Sequence, residues 1–225
     1  MSDDVVPPDL QAEFERERSD ARRARPKDPA DLRALTVRMY GRLAELQQSV
    51  ITRHDVNVAC RRGCSYCCHL RVEIRPHEAF VLADYIRSRF DADQCAAILS
   101  RIEDNLARIA PLSAEQHIRA GTPCALLEDG ACSVYEGRPA ACRKYYSVSV
   151  ETCRDAFSDT AAPLTGPLED DHVRLAGNAV ALGFAKGRED AGLDATLYEL
   201  HFALRHALAN PRTEKRYRDG KRPFA

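Results

Sequence analysis

The sequence predicts a mainly α fold, with helices packed around an irregular cysteine-rich centre and few short strands. Three observations lead there. Apolar residues recur at steps of three and four in several stretches, as amphipathic helices require. Period-two alternation is confined to residues 70–74. All nine cysteines lie between Cys60 and Cys153, and eight of them fall in segments that carry little periodicity of their own. With 225 residues, 44% hydrophobic and 30% charged, the chain has a globular profile, which excludes a disordered, collagenous or low-complexity protein.

Residues 1–29 hold Glu13, Glu15, Glu17 and Asp20 against Arg16, Arg18, Arg22, Arg23 and Arg25, with four prolines and almost no apolar periodicity. They are predicted as a flexible charged arm, helical in part. From Asp31, read as an N-cap after Pro29, the stripe Leu32, Leu35, Met39, Leu43, Leu46 and Val50 marks a long helix. A very short strand at 70–74 precedes Pro76, which opens a helix with Phe80, Ala83, Ile86 and Phe90 on one face. Asp91 or Asp93 caps a third helix, whose stripe of Cys95, Ile98, Ile102, Leu106 and Ile109 makes Cys95 a core residue.

Residues 121–153 have few helical signals and read as loops and turns held by something other than a core. Residues 161–167 look like a connector. Two further helices follow, at about 170–188 (Val173, Ala176, Val180, Phe184) and 193–210 (Leu197, Leu200, Leu204, Leu208), the last stopped by Pro211. The stretch 211–225 is a basic tail, with six Lys or Arg against Glu214 and Asp219. The expected organisation is therefore an arm at 1–29, one helical domain at 30–210 with its centre at 60–153, and a tail.

A formal charge of −1 provides no global field toward nucleic acid or an anionic membrane, so neither is an expected partner. No run of about 18 apolar residues could span a bilayer. The acidic start lacks the basic and apolar regions of a secretory signal, so a cytoplasmic location is expected. In such a reducing compartment a dense cysteine set is a metal site rather than a disulfide framework.

The first block reads Cys60-Arg-Arg-Gly-Cys64-Ser-Tyr-Cys67-Cys68-His69, where thiolates three and four positions apart on a tight turn at Gly63 can converge on one ion. The second contains Cys124, Cys132 and Cys142, with Cys153 ten residues on, and Asp129-Gly130 is a turn that brings Cys124 and Cys132 together. The candidate metal ligands are Cys60, Cys64, Cys67, Cys68, Cys124, Cys132, Cys142 and Cys153. Soft thiolates select zinc, copper(I) or iron–sulfur clusters, and eight of them suffice for two four-coordinate zinc sites or for one four-iron (4Fe–4S) cluster with sulfurs to spare. In an extended segment adjacent Cys67 and Cys68 would point to opposite faces and could serve different sites, a constraint that a turn relaxes. His69 reads as a group beside the metal rather than a ligand. Arg61, Arg62, Arg71, Arg138, Arg143 and Lys144 surround the cysteines, a setting that lowers thiol pKa, and Arg143 is the strongest case for a cation acting on the site. Asp170-Asp171-His172, His201 and His206 form no convincing catalytic set and read as surface or helix-packing groups.

Cys60-x3-Cys64-x2-Cys67-Cys68, followed by Cys132-x2-Tyr135-x2-Arg138-Pro139-x2-Cys142-Arg143, resembles the YkgJ-type cysteine-cluster family of zinc- or iron-chelating domains. The resemblance spans residues 60–153 and departs from the family in placing Pro123 before Cys124 rather than proline after it. It implies a metal-binding cysteine-cluster protein that ligates zinc or an iron–sulfur cluster through cysteine thiolates. One branch is similar to flagellin lysine N-methylase, which implies as the alternative an iron–sulfur enzyme using S-adenosylmethionine on a protein substrate. The chain has no Gly-rich loop between a strand and a helix to hold that cofactor. Cys60-x3-Cys64-x-Tyr66-Cys67 also looks like the signature of radical S-adenosylmethionine enzymes, but their alternating strands and helices are at odds with the helical stripes here, and the second cysteine block would have no role.

Overall fold

The computed structural model describes residues 7–158 and 167–224. Most of the connector expected at 161–167 and the first six residues lie outside the described residues. The described chain is mainly α, as the sequence predicts, with strands of two residues each. Its principal helices are α1 (Pro8–Arg23), α2 (Pro29–Arg53), α3 (Pro76–Arg89), α4 (Ala92–Ile109), the short α5 (Ala114–Arg119) and α6 (Ala140–Arg143), α7 (Val150–Ser158), α8 (Asp171–Asp190), α9 (Leu200–Ala209) and α10 (Arg212–Arg218).

The caps set several boundaries. Asp28, not Asp31, caps α2: its Oδ1 accepts from the Asp31 amide at 2.9 Å, which leaves Pro29 in the first turn, where no amide donor is needed. Asp91 and Gln94 form a reciprocal capping box on α4. The helix expected over 193–210 begins only at Leu200, because Tyr198–Glu199 form strand β4. That strand pairs antiparallel with β1 (Glu73–Ile74), in register Glu73↔Glu199 and Ile74↔Tyr198. Glu199 then caps α9 by accepting from the Phe202 amide.

The main core lies among α3, α4 and α9, where Leu82, Ala83, Ile86, Ile98, Ile102, Ala203 and Leu204 are fully buried. It continues onto Ala125, Leu126 and Val134 of the second cysteine segment. A second core joins Leu35, Met39 and Leu43 of α2 to Val180 and Phe184 of α8.

The ends of the chain depart from the expected arm and tail. Helix α1 lies along α8, with Leu10, Glu17 and Ala21 buried. Its few apolar residues suffice because Gly183 and Gly187 leave room for backbone contact: a side chain at either position would run into α1 at Phe14 or Arg18. Arg188, wholly buried, donates from Nη1 to the carbonyls of Ala21 and Ala24 and so ties down the end of α1. In the tail, Tyr217 of α10 and Phe224 pack on Phe80 of the main core.

Candidate metal centre

The first cysteine block follows α2. Gly63 has φ +88°, as its expected turn requires, and Tyr66–His69 form one 3-10 turn carrying Cys67 and Cys68. The second block begins with a hairpin of β2 (Leu127–Glu128) and β3 (Ala131–Cys132), in register Leu127↔Cys132. Its two-residue loop, Asp129-Gly130, has φ of +48° and +73°, the geometry that favours this dipeptide. A second 3-10 turn, Tyr135–Gly137, leads to α6 with Cys142, and α7 carries Cys153.

Buried polar groups of the helical frame hold these loops. Glu78 Oε1 accepts from the Ala140 amide at 2.6 Å, so a carboxylate of α3 fixes the start of α6 two residues before Cys142. Gln47 of α2 donates from Nε2 to Lys144 O at 2.9 Å and Val173 O at 3.1 Å. The segment around Cys124 is clamped from two helices: Asn105 Nδ2 reaches Pro123 O at 2.8 Å, Arg101 Nε reaches Ala125 O at 2.8 Å, and the Ala125 amide donates to His201 Nε2 at 3.1 Å. That last bond makes Nε2 the acceptor, so Nδ1–H points at Glu199 Oε1, 2.8 Å away. His201 is therefore a buried positioning group. No spacing in the sequence signals this, because its partners lie 76 and 96 residues away.

All nine cysteines are free thiols. Backbone donors point at several sulfurs: Ser147 N–H reaches Cys60 Sγ at 3.2 Å. The amides of Leu126 and Val134 pull down the Cys124 and Cys132 thiols, while the Ser147 hydroxyl is given to the carbonyls of Ser149 and Leu168. Burial nevertheless dominates, pushing Cys124 up to about 11, Cys142 well above the usual thiol range, and Cys60, Cys132 and Cys153 upward. Cys67, on an exposed turn, is raised chiefly by its hydrogen bond to Cys68. The expectation that nearby cations lower the thiol pKa is right in sign for Arg138, which acts on Cys67, Cys132 and Cys142, and for Arg101 on Cys124, but the cations lose to desolvation. Arg143 lies over the Tyr40 ring, 4.6 Å from its centroid, binds the carbonyls of Arg138 and Glu136, and interacts by charge with Cys142.

The two blocks are tied to each other, the Cys124 amide donating to Cys68 O at 2.8 Å and the Ser147 amide to Cys60 Sγ at 3.2 Å, and Cys67 is coupled by charge to cysteines of both. Among the described residues no three His, Cys, Asp or Glu side chains already stand at ligating separations. The donor set nonetheless suits a soft metal, since it is all sulfur, disulfide-free and provided with N–H···S bonds that stabilise thiolate. Cys95 stands apart, its sulfur directed at Ile86 O and Phe90 O beside the main core. His69 turns Nδ1 toward Ser65 O and packs on Phe157.

Residues 59–160 match the family model CxxCxxCC, described as "putative zinc- or iron-chelating domain". The match covers a little under half of the chain, so this segment is similar to that domain. The matched segment contains every cysteine of both blocks, the residues through which a metal-chelating domain would act. No curated protein and no solved structure matches the chain. Among the described residues no helix is long and apolar enough to cross a membrane.

Proposed function

We propose that this protein binds zinc or an iron–sulfur cluster through the thiolates of Cys60, Cys64, Cys67, Cys68, Cys124, Cys132, Cys142 and Cys153, and that the metal holds together the loop-rich half of the domain. The observation that carries this reading is the joining of two sequence-distant blocks of free thiols, the Cys124 amide donating to Cys68 O at 2.8 Å and the Ser147 amide to Cys60 Sγ at 3.2 Å. Desolvated thiols crowded together raise one another's pKa, and a soft cation in their midst removes that penalty by compensating the thiolate charge. The protein's own groups supply the rest. Glu78 and Gln47 hold the loop bearing Cys142, the Asn105, Arg101 and His201 clamp holds Cys124, and Ser147 donates to Cys60.

Anaerobic purification with assay of metal, acid-labile sulfide and the visible spectrum tests the proposal. Zinc without colour or sulfide supports a zinc centre. Brown protein with sulfide supports an iron–sulfur centre and opens the enzymatic alternative, in which S-adenosylmethionine is the co-substrate and a protein the acceptor. Protein that carries no metal, and takes up none on reconstitution, defeats it.

A further inference from the structure

Arg138, whose pull on the sulfurs burial outweighs, belongs to a set of arginines laid on tyrosine rings around the 3-10 turn Tyr135–Gly137. Its Cζ stands 3.5 Å from the centroid of the Tyr135 ring, and Arg62 Cζ, from the first cysteine block, stands 5.3 Å from the same ring. Gly137 sits on the ring of Tyr85 of α3, where even a methyl group would come within 2.7 Å of Cγ. Arg89 Cζ lies 5.6 Å from the centroid of that ring. Arg143 binds the carbonyls of Glu136 and Arg138 and covers Tyr40. Four guanidiniums from α3 and both cysteine blocks thus surround one turn.

Little carboxylate charge answers them. Among the described residues Glu136 alone is paired with this set, 3.8 Å from Arg62 Nη1, and both side chains are exposed. Arg138 gives Nε to Tyr135 O at 2.9 Å, and its two Nη groups meet no carboxylate among the described residues. Arg89, exposed, has neither a carboxylate nor a carbonyl partner among them. Asp84, next to Tyr85 in sequence, is taken by Arg33 and Arg87. The arginines of α1 and α8 are disposed otherwise: Arg16, Arg18, Arg23 and Arg174 each hold a carboxylate within 3 Å.

A guanidinium stacked on an aromatic ring has its rotamer fixed and its in-plane N–H edge free, the form in which arginine receives a carboxylate through two parallel hydrogen bonds. The rings themselves are spent, Tyr135 under Arg138, Tyr85 under Gly137 and Tyr40 by burial. Nucleic-acid bases need open ring faces to stack on, whereas carboxylates need only the guanidinium edges.

We propose that Arg62, Arg89 and Arg138, set on Tyr135 and Tyr85, form a docking surface for an acidic polypeptide segment whose Asp and Glu side chains pair with the free guanidinium edges. Arg143, through its bonds to the carbonyls of Glu136 and Arg138, holds the turn that presents them.

Fluorescence anisotropy of a labelled polyglutamate peptide against the full chain tests this. Binding is expected at about 0.15 M salt and should weaken as added salt screens the pairs. Arg62→Gln combined with Arg89→Gln should weaken it about tenfold. Lys215→Gln combined with Lys221→Gln removes the same charge from the basic tail and should leave it within about twofold. Far-UV circular dichroism accompanies both double variants. In a second arm that needs no variant, wild type is treated with phenylglyoxal with and without the peptide and mapped by mass spectrometry. The peptide should protect Arg62, Arg89 and Arg138 and leave the arginines of residues 212–222 reactive. No binding to wild type, equal weakening by the two double variants, or protection confined to residues 212–222 would overturn the proposal. So would tighter binding of an oligothymidylate of equal charge, which would assign the surface to single-stranded nucleic acid.

Discussion

The frame of α3, α4 and α9 and the segments that carry the cysteines differ in what fills them. In the frame, Leu82, Ile86, Ile98, Ile102 and Leu204 are fully buried against one another, and hydrophobic burial is the main source of its cohesion. In residues 60–68 no residue is buried, and residues 124–153 contribute only Ala125, Leu126, Val134 and Ala140 to the apolar cores. Those segments are held instead by reach-over bonds from Glu78, Gln47, Asn105, Arg101 and His201, and by whatever their sulfurs bind. The contrast teaches that one half of the molecule can fold by burial, whereas the other borrows its rigidity from the first half and from metal.

Metal removal probes that contrast most strongly. Chelation under reducing conditions is expected to cost the cysteine segments on the order of 10 kcal/mol per site. Limited proteolysis should then cut within residues 124–153 while hydrogen exchange in α3, α4 and α9 stays slow. Equal loss of protection in both halves would abolish the distinction. Next in size, Leu204→Ala should destabilise the protein by about 2–5 kcal/mol in denaturant melts. Below its melting range it should keep the wild-type metal content, since the frame's packing and the sulfurs' chemistry are separate sources of order.

Glu17, on α1 outside both regions, adds a third point of comparison. Burial against α8 pushes its carboxyl from about 4.5 up to about 7, with Arg42 Nε, 2.5 Å from Oε1 but off hydrogen-bond geometry, pulling the other way. The folded chain thus holds this proton more tightly than the unfolded one. Its contribution is complete below about pH 4.5 and is lost as pH rises through about 7. Glu17→Gln should remove up to about 2 kcal/mol of that pH dependence, a magnitude discounted for screening by Arg42 and solvent. The difference between wild-type and variant melting temperatures across pH 4.5–8 checks it. The smallest effect belongs to Cys95→Ser, about 1 kcal/mol of lost packing with metal content unchanged. Metal loss in that variant would move Cys95 from the frame to the centre.

Much of this contrast is written in local sequence. The stripes of α2, α3, α4 and α8 and the Asp129-Gly130 turn follow from residues within a few positions of each other, and so does the separation of Cys95 from the other thiols. What was not legible depends on distant partners. Helix α1 lacks an apolar stripe and is held by the glycines of α8, and β4 takes the start of the expected last helix because β1 is there to pair with it. His201 has no motif of its own and matters through a backbone amide 76 residues away.

The sequence by itself therefore determined the helical class, the cysteine-rich centre and its family likeness, because helix periodicity and ligand chemistry are properties of residues and short spacings. Only the tertiary structure decided which thiols are neighbours, that burial outweighs the arginines at their sulfurs, and that Glu78, Ser147 and His201 hold the loops in place. Desolvation and long-range hydrogen bonds exist only once chain segments far apart in sequence have been brought together.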